Sequence, residues 1–160
     1  MKLSFEHVIS APVDRVIDAH RKEEYYVQKQ KKFGALSVEV LQWEEGGDGK
    51  LKNKAKVQEP SKLPSFIRKS DVDEYVEEAV LDPKAGTYTW KVTPNVMADK
   101  IFLSGKVEFR AAGDKTRVIF NTEFVAKIPL IGGKVEKYAS TRIEEESKKQ
   151  ADFLKEWLAG

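Results

Sequence analysis

Residues 134–158 read KVEKYASTRIEEESKKQADFLKEWL, and this stretch decides the fold. It contains no proline or glycine, and most of its residues favour helix. At about 100° per residue, one face carries the apolar side chains of Val135, Ala139, Ile143, Phe153, Leu154 and Trp157. A helix of this length measures about 37 Å, which is enough to cross a small domain. The pattern therefore predicts a long amphipathic helix that covers another layer.

Polar side chains interrupt this apolar face. Glu146 and Gln150 lie in its middle, and Arg142 lies one turn earlier near its edge. One interpretation is an ion pair between Arg142 and Glu146 on a helix that is rotated far enough to reach solvent. The other is a polar anchor for a ligand inside an apolar cavity, with Tyr138 as a further candidate contact. An unpaired buried carboxylate is costly, so Glu146 needs a partner if it is buried.

The residues before this helix have the pattern of one strand, two short helices and six more strands. Residues 3–9 alternate between apolar and polar, and residues 13–33 have helical periodicity with a charged break at 21–24. Glycine-rich or proline-rich turns separate the six later strands, at residues 35–45, 51–58, 72–81, 87–93, 101–109 and 116–126. We predict an α+β fold in a single domain, 1–160, with a curved seven-stranded antiparallel sheet wrapped around the C-terminal helix.

Composition excludes several function classes. Lys and Arg number 28 against 26 acids, and the two signs are interleaved, so a nucleic-acid surface is not expected. The chain has no cysteine, and neither histidine has metal-ligand spacing, so we expect no metal and no cofactor. No apolar run reaches the ~20 residues that span a bilayer, and a cytoplasmic location is therefore expected.

Few residues are candidates for chemistry. His7 lies on the apolar face of the first strand, where it is either a core or cavity-wall residue or a general base. His20, at the end of a predicted helix, is interpreted as a surface or capping residue. Tyr88 and Trp90 lie on a strand of which one face must point inward, so they are candidate ligand contacts.

Two loops mix apolar and basic residues. The loop Leu63–Lys69, LPSFIRK, contains Phe66 and Ile67 and no acid, a composition suited to transient contact with an anionic membrane. The alternative, which we favour, is a loop that folds over the end of the sheet. A second apolar loop, Ile128–Ile131, precedes the long helix.

Two stretches carry a family resemblance: LPSFIRK at Leu63–Lys69 and KIPLIGGKVEK at Lys127–Lys137. Together with Trp90 on a strand and Trp157-Leu158 at the helix end, they resemble an uncharacterised bacterial branch of the START-like (SRPBCC) superfamily, the helix-grip proteins of the birch-pollen-allergen type. The resemblance implies an apolar cavity between sheet and helix, which members use for lipids, sterols, polyketides and plant hormones. It brings no catalytic residue with it.

Three functions remain open on the sequence. The leading hypothesis is binding or transfer of a hydrophobic or amphipathic small molecule such as a lipid, with Glu146 and Gln150 as the polar anchor and Phe66, Ile67 and the Ile128–Ile131 loop as the mouth. The second is a cyclase-like or dehydratase-like enzyme, which requires Glu146 and His7 to face each other across the cavity. The third is a protein-interaction module with a filled core. Oligomeric state and ligand identity are not encoded in any recognisable motif.

Overall fold

The computed structural model describes residues 1–160 and contains seven strands and three helices. In chain order they are β1 (Lys2–Ile9), α1 (Val13–Arg21), α2 (Glu23–Lys32), β2 (Ser37–Glu45), β3 (Leu51–Pro60), β4 (Val72–Asp82), β5 (Thr87–Pro94), β6 (Ile101–Ala112), β7 (Lys115–Ala126) and α3 (Gly132–Ala159). The predicted order of elements is confirmed, including the break between the two short helices. The break falls at Lys22, whose extended backbone separates α1 from α2.

One antiparallel sheet contains all seven strands in the order β1-β7-β6-β5-β4-β3-β2. The six strands after α2 form the predicted meander, and β1 returns to pair with β7, where Phe5 lies opposite Phe120. In β3, buried Leu51, Ala55 and Val57 alternate with lysines on the outer face. This alternation gives the sheet an inner face that faces the helices. The predicted α+β helix-grip architecture is confirmed.

The long helix α3 begins closer to the sheet than the sequence pattern predicts. Gly132 and Gly133, which precede the predicted helical stretch 134–158, form its first turn. A Cβ atom at Gly132 would lie 2.3 Å from the carbonyl oxygen of Ala126, so only glycine lets the helix start directly against the end of β7. None of the three helices combines the length and the apolar composition that crossing a membrane requires.

The apolar interior divides into two clusters of different size. The large core contains sixteen buried residues, among them Leu81 from β4 and Ala151 and Leu154 from the C-terminal half of α3. The small core contains four buried residues, Ile101, Phe124, Ala126 and Val135, beside the N-terminal half of α3. Half-buried Leu63, Ile67 and Ile128 pack against the small core, so both predicted loops help to close this end of the sheet.

Candidate functional site

The inner face of the sheet and α3 leave an internal space of about 300 Å³. Thirty-five residues line it, of which nineteen are hydrophobic, and members of both cores are among them. This volume falls at the lower end of the range of small-molecule sites. Its apolar wall comes mainly from β5, β6 and β7, through Val92, Ile101, Leu103, Val107, Phe120 and Phe124.

The outer face of the sheet carries a larger open trough of about 850 Å³. Only four of its nineteen lining residues are hydrophobic, and lysines on several strands contribute to it. Lys54 in this trough pairs with Glu78 at 3.4 Å, as expected of a solvated strand surface. The internal space is therefore the candidate site.

Six of the nine residues that the sequence proposed as ligand contacts line this space. They are Tyr88, Trp90, Tyr138, Arg142, Glu146 and Gln150. Phe66 and Ile67 do not line it, although their loop neighbours Leu63 and Pro64 do. His7 does not line it either: its Nε2 lies 3.4 Å from the Ser147 hydroxyl, and its ring packs edge-on against Phe120. The enzyme hypothesis required Glu146 and His7 to face each other across the space, and they do not.

The polar strip on α3 is paired differently from the ion-pair interpretation of the sequence. Glu146 accepts a hydrogen bond from the Lys62 ammonium at 3.3 Å, and its side chain is 26% exposed. Arg142 is exposed and donates instead to the Tyr138 hydroxyl at 3.2 Å. The proposed ion pair between Arg142 and Glu146 is therefore not formed, and the carboxylate pairs with Lys62 from the loop after β3 instead.

Trp90 lies on the inward face of β5 with Tyr88, and a glycine on the neighbouring strand makes room for its ring. Gly105 lies directly opposite Trp90 in the register of β5 and β6. A Cβ atom at Gly105 would lie 2.5 Å from the indole ring, so this glycine provides the room in which the ring rests against β6. Tyr88, two residues earlier on the same face, is 6% exposed, and its burial raises the pKa of its hydroxyl.

A group of ionisable residues lines one wall of the space, and most of its members were not apparent from the sequence. We call it the acid-rich cluster; it consists of Lys29 from α2, Glu59 from β3, Lys62, Asp73, Tyr75 and Glu77 from β4, and Glu146 from α3. In the register of β3 and β4, Glu59 lies opposite Asp73. Tyr75 and Glu77 follow on the same face of β4, which continues inward with Ala79 and Leu81.

Lys29 is the buried cation of the acid-rich cluster. The residue is 8% exposed, and its Nζ lies 5.8 Å from the centre of the Tyr25 ring and 5.4 Å from that of Tyr26. Burial lowers the pKa of Lys29, and the negative charges of Glu77 and Glu146 act in the opposite direction. Two aromatic faces and two acids compensate in part for the loss of hydration.

Two carboxylates of the cluster, those of Glu77 and Glu59, have a raised pKa. Burial raises the pKa of Glu77, while Lys29 opposes the shift. Burial also raises the pKa of Glu59, although Lys62 Nζ lies 3.4 Å from its carboxylate. Lys62 is shared, because the same Nζ also pairs with Glu146. A single ammonium thus pairs with two acids, of which Glu59 is buried and Glu146 is partly exposed.

His20 was interpreted as a surface or capping residue, and this interpretation is wrong. Its ring lies among Tyr25, Tyr88 and Phe109, with centroids 4.7–5.8 Å apart, and one edge lines the internal space. The Nδ1 atom is 2.8 Å from the carbonyl oxygen of Val16. Burial lowers the pKa of His20 to about 4, so the ring is neutral at pH 7. The end of α1 points inward, which the sequence pattern did not reveal.

Known proteins resemble the chain in sequence and in fold. The family described as "Protein of unknown function (DUF2505)" matches residues 4–158. No curated protein matches the sequence. In fold, the chain is similar to the Zhui aromatase/cyclase from Streptomyces sp. R1128, with 14% identity over 96% of this chain and 90% of that chain and a TM-score of 0.71.

Two further solved structures share the fold over nearly their whole length. One is TTHA0849 from Thermus thermophilus, with 18% identity, coverage of 98% of this chain and 95% of that chain, and a TM-score of 0.69. The other is a START superfamily protein from Mycobacterium smegmatis, with 13% identity, 98% coverage of both chains and a TM-score of 0.66. These identities carry the fold alone. The resemblance inferred from LPSFIRK and KIPLIGGKVEK is confirmed, and the chain belongs to the DUF2505 family within the START-like helix-grip fold.

Proposed function

We propose that the protein binds or transfers an amphipathic small molecule, such as a lipid, in the space between the sheet and α3. The observation that carries this proposal is the contrast between the walls of one space. Apolar side chains of β5, β6 and β7 form one wall, and the acid-rich cluster forms the other. The apolar part of a ligand would contact residues such as Leu103 and Ile143, while its polar end would reach Glu146 and Gln150.

The loop Leu63–Lys69 is the proposed mouth of the site. Leu63 and Pro64 line the space, and Ile67 packs into the small core, so the loop closes this end from the inside. Phe66 faces outward at 45% exposure, with the Lys134 ammonium 4.4 Å from the centre of its ring. Displacement of this loop would open the space without disturbing any strand.

A transient membrane contact around this mouth is part of the proposal. Exposed apolar side chains at the same end of the sheet include Phe66, Phe102 and the fully exposed Leu130. Lysine ammonium groups lie over two of these rings, with Lys127 5.1 Å from the centre of Phe102. Apolar groups beside cations suit weak binding to an anionic bilayer surface, as a protein loading a lipid in the cytoplasm would need. Flotation with anionic vesicles should carry wild-type protein and leave Leu130→Asp behind.

Mass spectrometry of organic extracts tests the binding proposal. Purified protein should release an amphipathic compound that is absent from a mock extract, and delipidated protein should take up a fluorescent fatty-acid, sterol or phospholipid probe. An empty extract together with no uptake of any probe would contradict the proposal.

A second candidate, an enzyme of the cyclase or dehydratase kind, is supported by one observation. Lys29, Tyr75 and Glu77 bring groups with shifted pKa values to a largely apolar space, where proton transfer is feasible. In this version Glu77 takes the place of His7. Delipidated wild-type protein should chemically change the extracted compound, and the Glu77→Gln variant should not. Recovery of the unchanged compound from the wild type would argue against the enzyme candidate.

The third hypothesis, an interaction module, needs a filled core, and the space of about 300 Å³ argues against a filled core.

A further inference from the structure

The charge of the acid-rich cluster is opposite to that of the chain as a whole. The chain carries a net charge of +2, whereas the cluster holds four carboxylates against the ammonium groups of Lys29 and Lys62. Two other charged residues that line the space have partners outside the cluster. Arg142 donates to the neutral Tyr138 hydroxyl and keeps its positive charge, whereas Glu74 pairs with Lys56 at 3.4 Å. His20 is neutral at pH 7, so it adds no compensating charge.

The pairing inside the cluster leaves this excess of negative charge uncompensated. Lys62 is divided between Glu59 and Glu146, at 3.4 and 3.3 Å. Lys29 has no carboxylate within 4 Å of its ammonium, so it forms no ion pair of its own with Glu77. The negative charges of Glu146 and Asp73 further raise the pKa of Glu59. Like charges repel more strongly where water is excluded than in bulk solvent.

We propose that the polar end of the ligand is a cation, so that the site takes an amphipathic amine whose ammonium group lies among Glu59, Glu77 and Glu146. This inference rests on the proposed function and adds the chemical class of the ligand. An ammonium would reduce the negative excess of the cluster, whereas a carboxylate or phosphate head group would increase it.

Polar atoms of the cluster are available to such a head group. An ammonium donates three hydrogen bonds and needs oxygen acceptors. The carboxylates of Glu59, Glu77 and Glu146 line the space and supply such acceptors. Lys29, Lys62 and the exposed Arg142 would favour an anion instead, and their three charges are outnumbered by the four carboxylates of the cluster.

Three amphiphiles with the same chain separate charge preference from apolar binding. Isothermal titration calorimetry of delipidated protein at pH 7 would compare n-decylamine, n-decanol and n-decanoic acid. We expect the amine to bind at least about tenfold more tightly than the alcohol, and the acid to bind more weakly than the alcohol. Equal or tighter binding of the alcohol or the acid overturns the cationic preference and leaves the proposed function intact. Failure of all three to bind contradicts the proposed function itself.

Substitution of individual acids tests which carboxylates cause the preference for the amine. Glu77→Gln and Glu146→Gln should each lower the ratio of amine affinity to alcohol affinity several-fold. Glu78→Gln is the matched control, because Glu78 is adjacent in sequence but is exposed on the outer face beside Lys54. The ratio within one variant is insensitive to partial loss of folded protein. Since Glu146 is partly exposed, its variant remains informative if Glu77→Gln does not fold. An unchanged ratio in the Glu146 variant, or an equal drop in the Glu78 control, contradicts the assignment.

Discussion

The two halves of α3 meet the same sheet in different ways. In the C-terminal half, Ala151 and Leu154 are 1% and 2% exposed and belong to the large core. In the N-terminal half, only Val135 is comparably buried among the apolar residues, while Ala139 and Ile143 are half-buried and line the internal space. One helix therefore stabilises the fold with one half and leaves room for a ligand with the other. Stability and binding should be separable by mutation along its length.

Truncation of a leucine should have the largest effect, and the effect should depend on the core involved. Leu81→Ala removes a fully buried side chain of the large core and should lower the free energy of unfolding by about 3–5 kcal/mol. Leu103→Ala removes a half-buried side chain that already faces empty space, and its cost should be about 1–2 kcal/mol. Urea unfolding measures both values. Equal losses would show that the two regions are packed alike.

Acid should weaken the large core through His20. Its pKa in the folded state is lowered to about 4, below the ordinary value of 6.5, so the folded protein resists protonation that the unfolded chain accepts. The resulting stability is complete above pH 6.5 and is lost as the pH falls towards 4, with a total of about 3 kcal/mol. His20→Phe keeps an aromatic ring among Tyr25 and Phe109 and should lack this component. Urea unfolding at several pH values checks it; identical pH profiles for variant and wild type would refute the assignment.

Two alanine-to-leucine substitutions, one in each half of α3, allow the two halves to be compared directly. Ala151→Leu inserts atoms into the large core and should lower the free energy of unfolding by about 1–3 kcal/mol. Ala139→Leu extends into the internal space and should change it by less than about 1 kcal/mol, while uptake of a fluorescent lipid probe is reduced. Thermal unfolding and the probe assay give the two readouts. Loss of probe binding in Ala151→Leu but not in Ala139→Leu would place the ligand elsewhere.

The smallest effect is expected in the loop before α3. Leu130 is fully exposed and has a φ of 72°, a left-handed conformation that is unfavourable for leucine. Leu130→Gly removes this strain and should raise the free energy of unfolding by about 1 kcal/mol or less. Probe binding in solution should be unaffected, because Leu130 does not line the internal space. A destabilised variant would mean that the leucine side chain makes a contact that matters to the fold.

The polar strip of α3 could be recognised from the sequence because it interrupts a regular helical pattern. Glu146 and Gln150 are conspicuous among apolar residues that recur every three to four positions. Lys62, the partner of Glu146, could not be recognised, because it comes from a loop 84 residues earlier in the chain. The sequence thus identified one wall of the site but not the contact that holds it.

The members of the acid-rich cluster outside α3 gave no comparable signal. In β4 the acids occupy both faces, since Asp73 and Glu77 point inward while Glu78 is exposed, so alternation did not mark the inner pair. Lys29 lies in a run with Lys31 and Lys32, and only the packing of α2 against the sheet buries it while the other two remain exposed. Burial of a charge depends on tertiary placement, which local periodicity does not contain.

A methyl NMR titration with n-decanol tests the central claim, that the space between sheet and α3 binds the apolar part of an amphipathic ligand. The neutral probe makes this test independent of the charge preference. We predict saturable shifts of the methyl groups of Val92, Leu103 and Ile143, which line the space, and none for Val80 on the outer face or Val16 in the large core. Shifts centred on Val80, or none that saturate at the first three, would contradict the account.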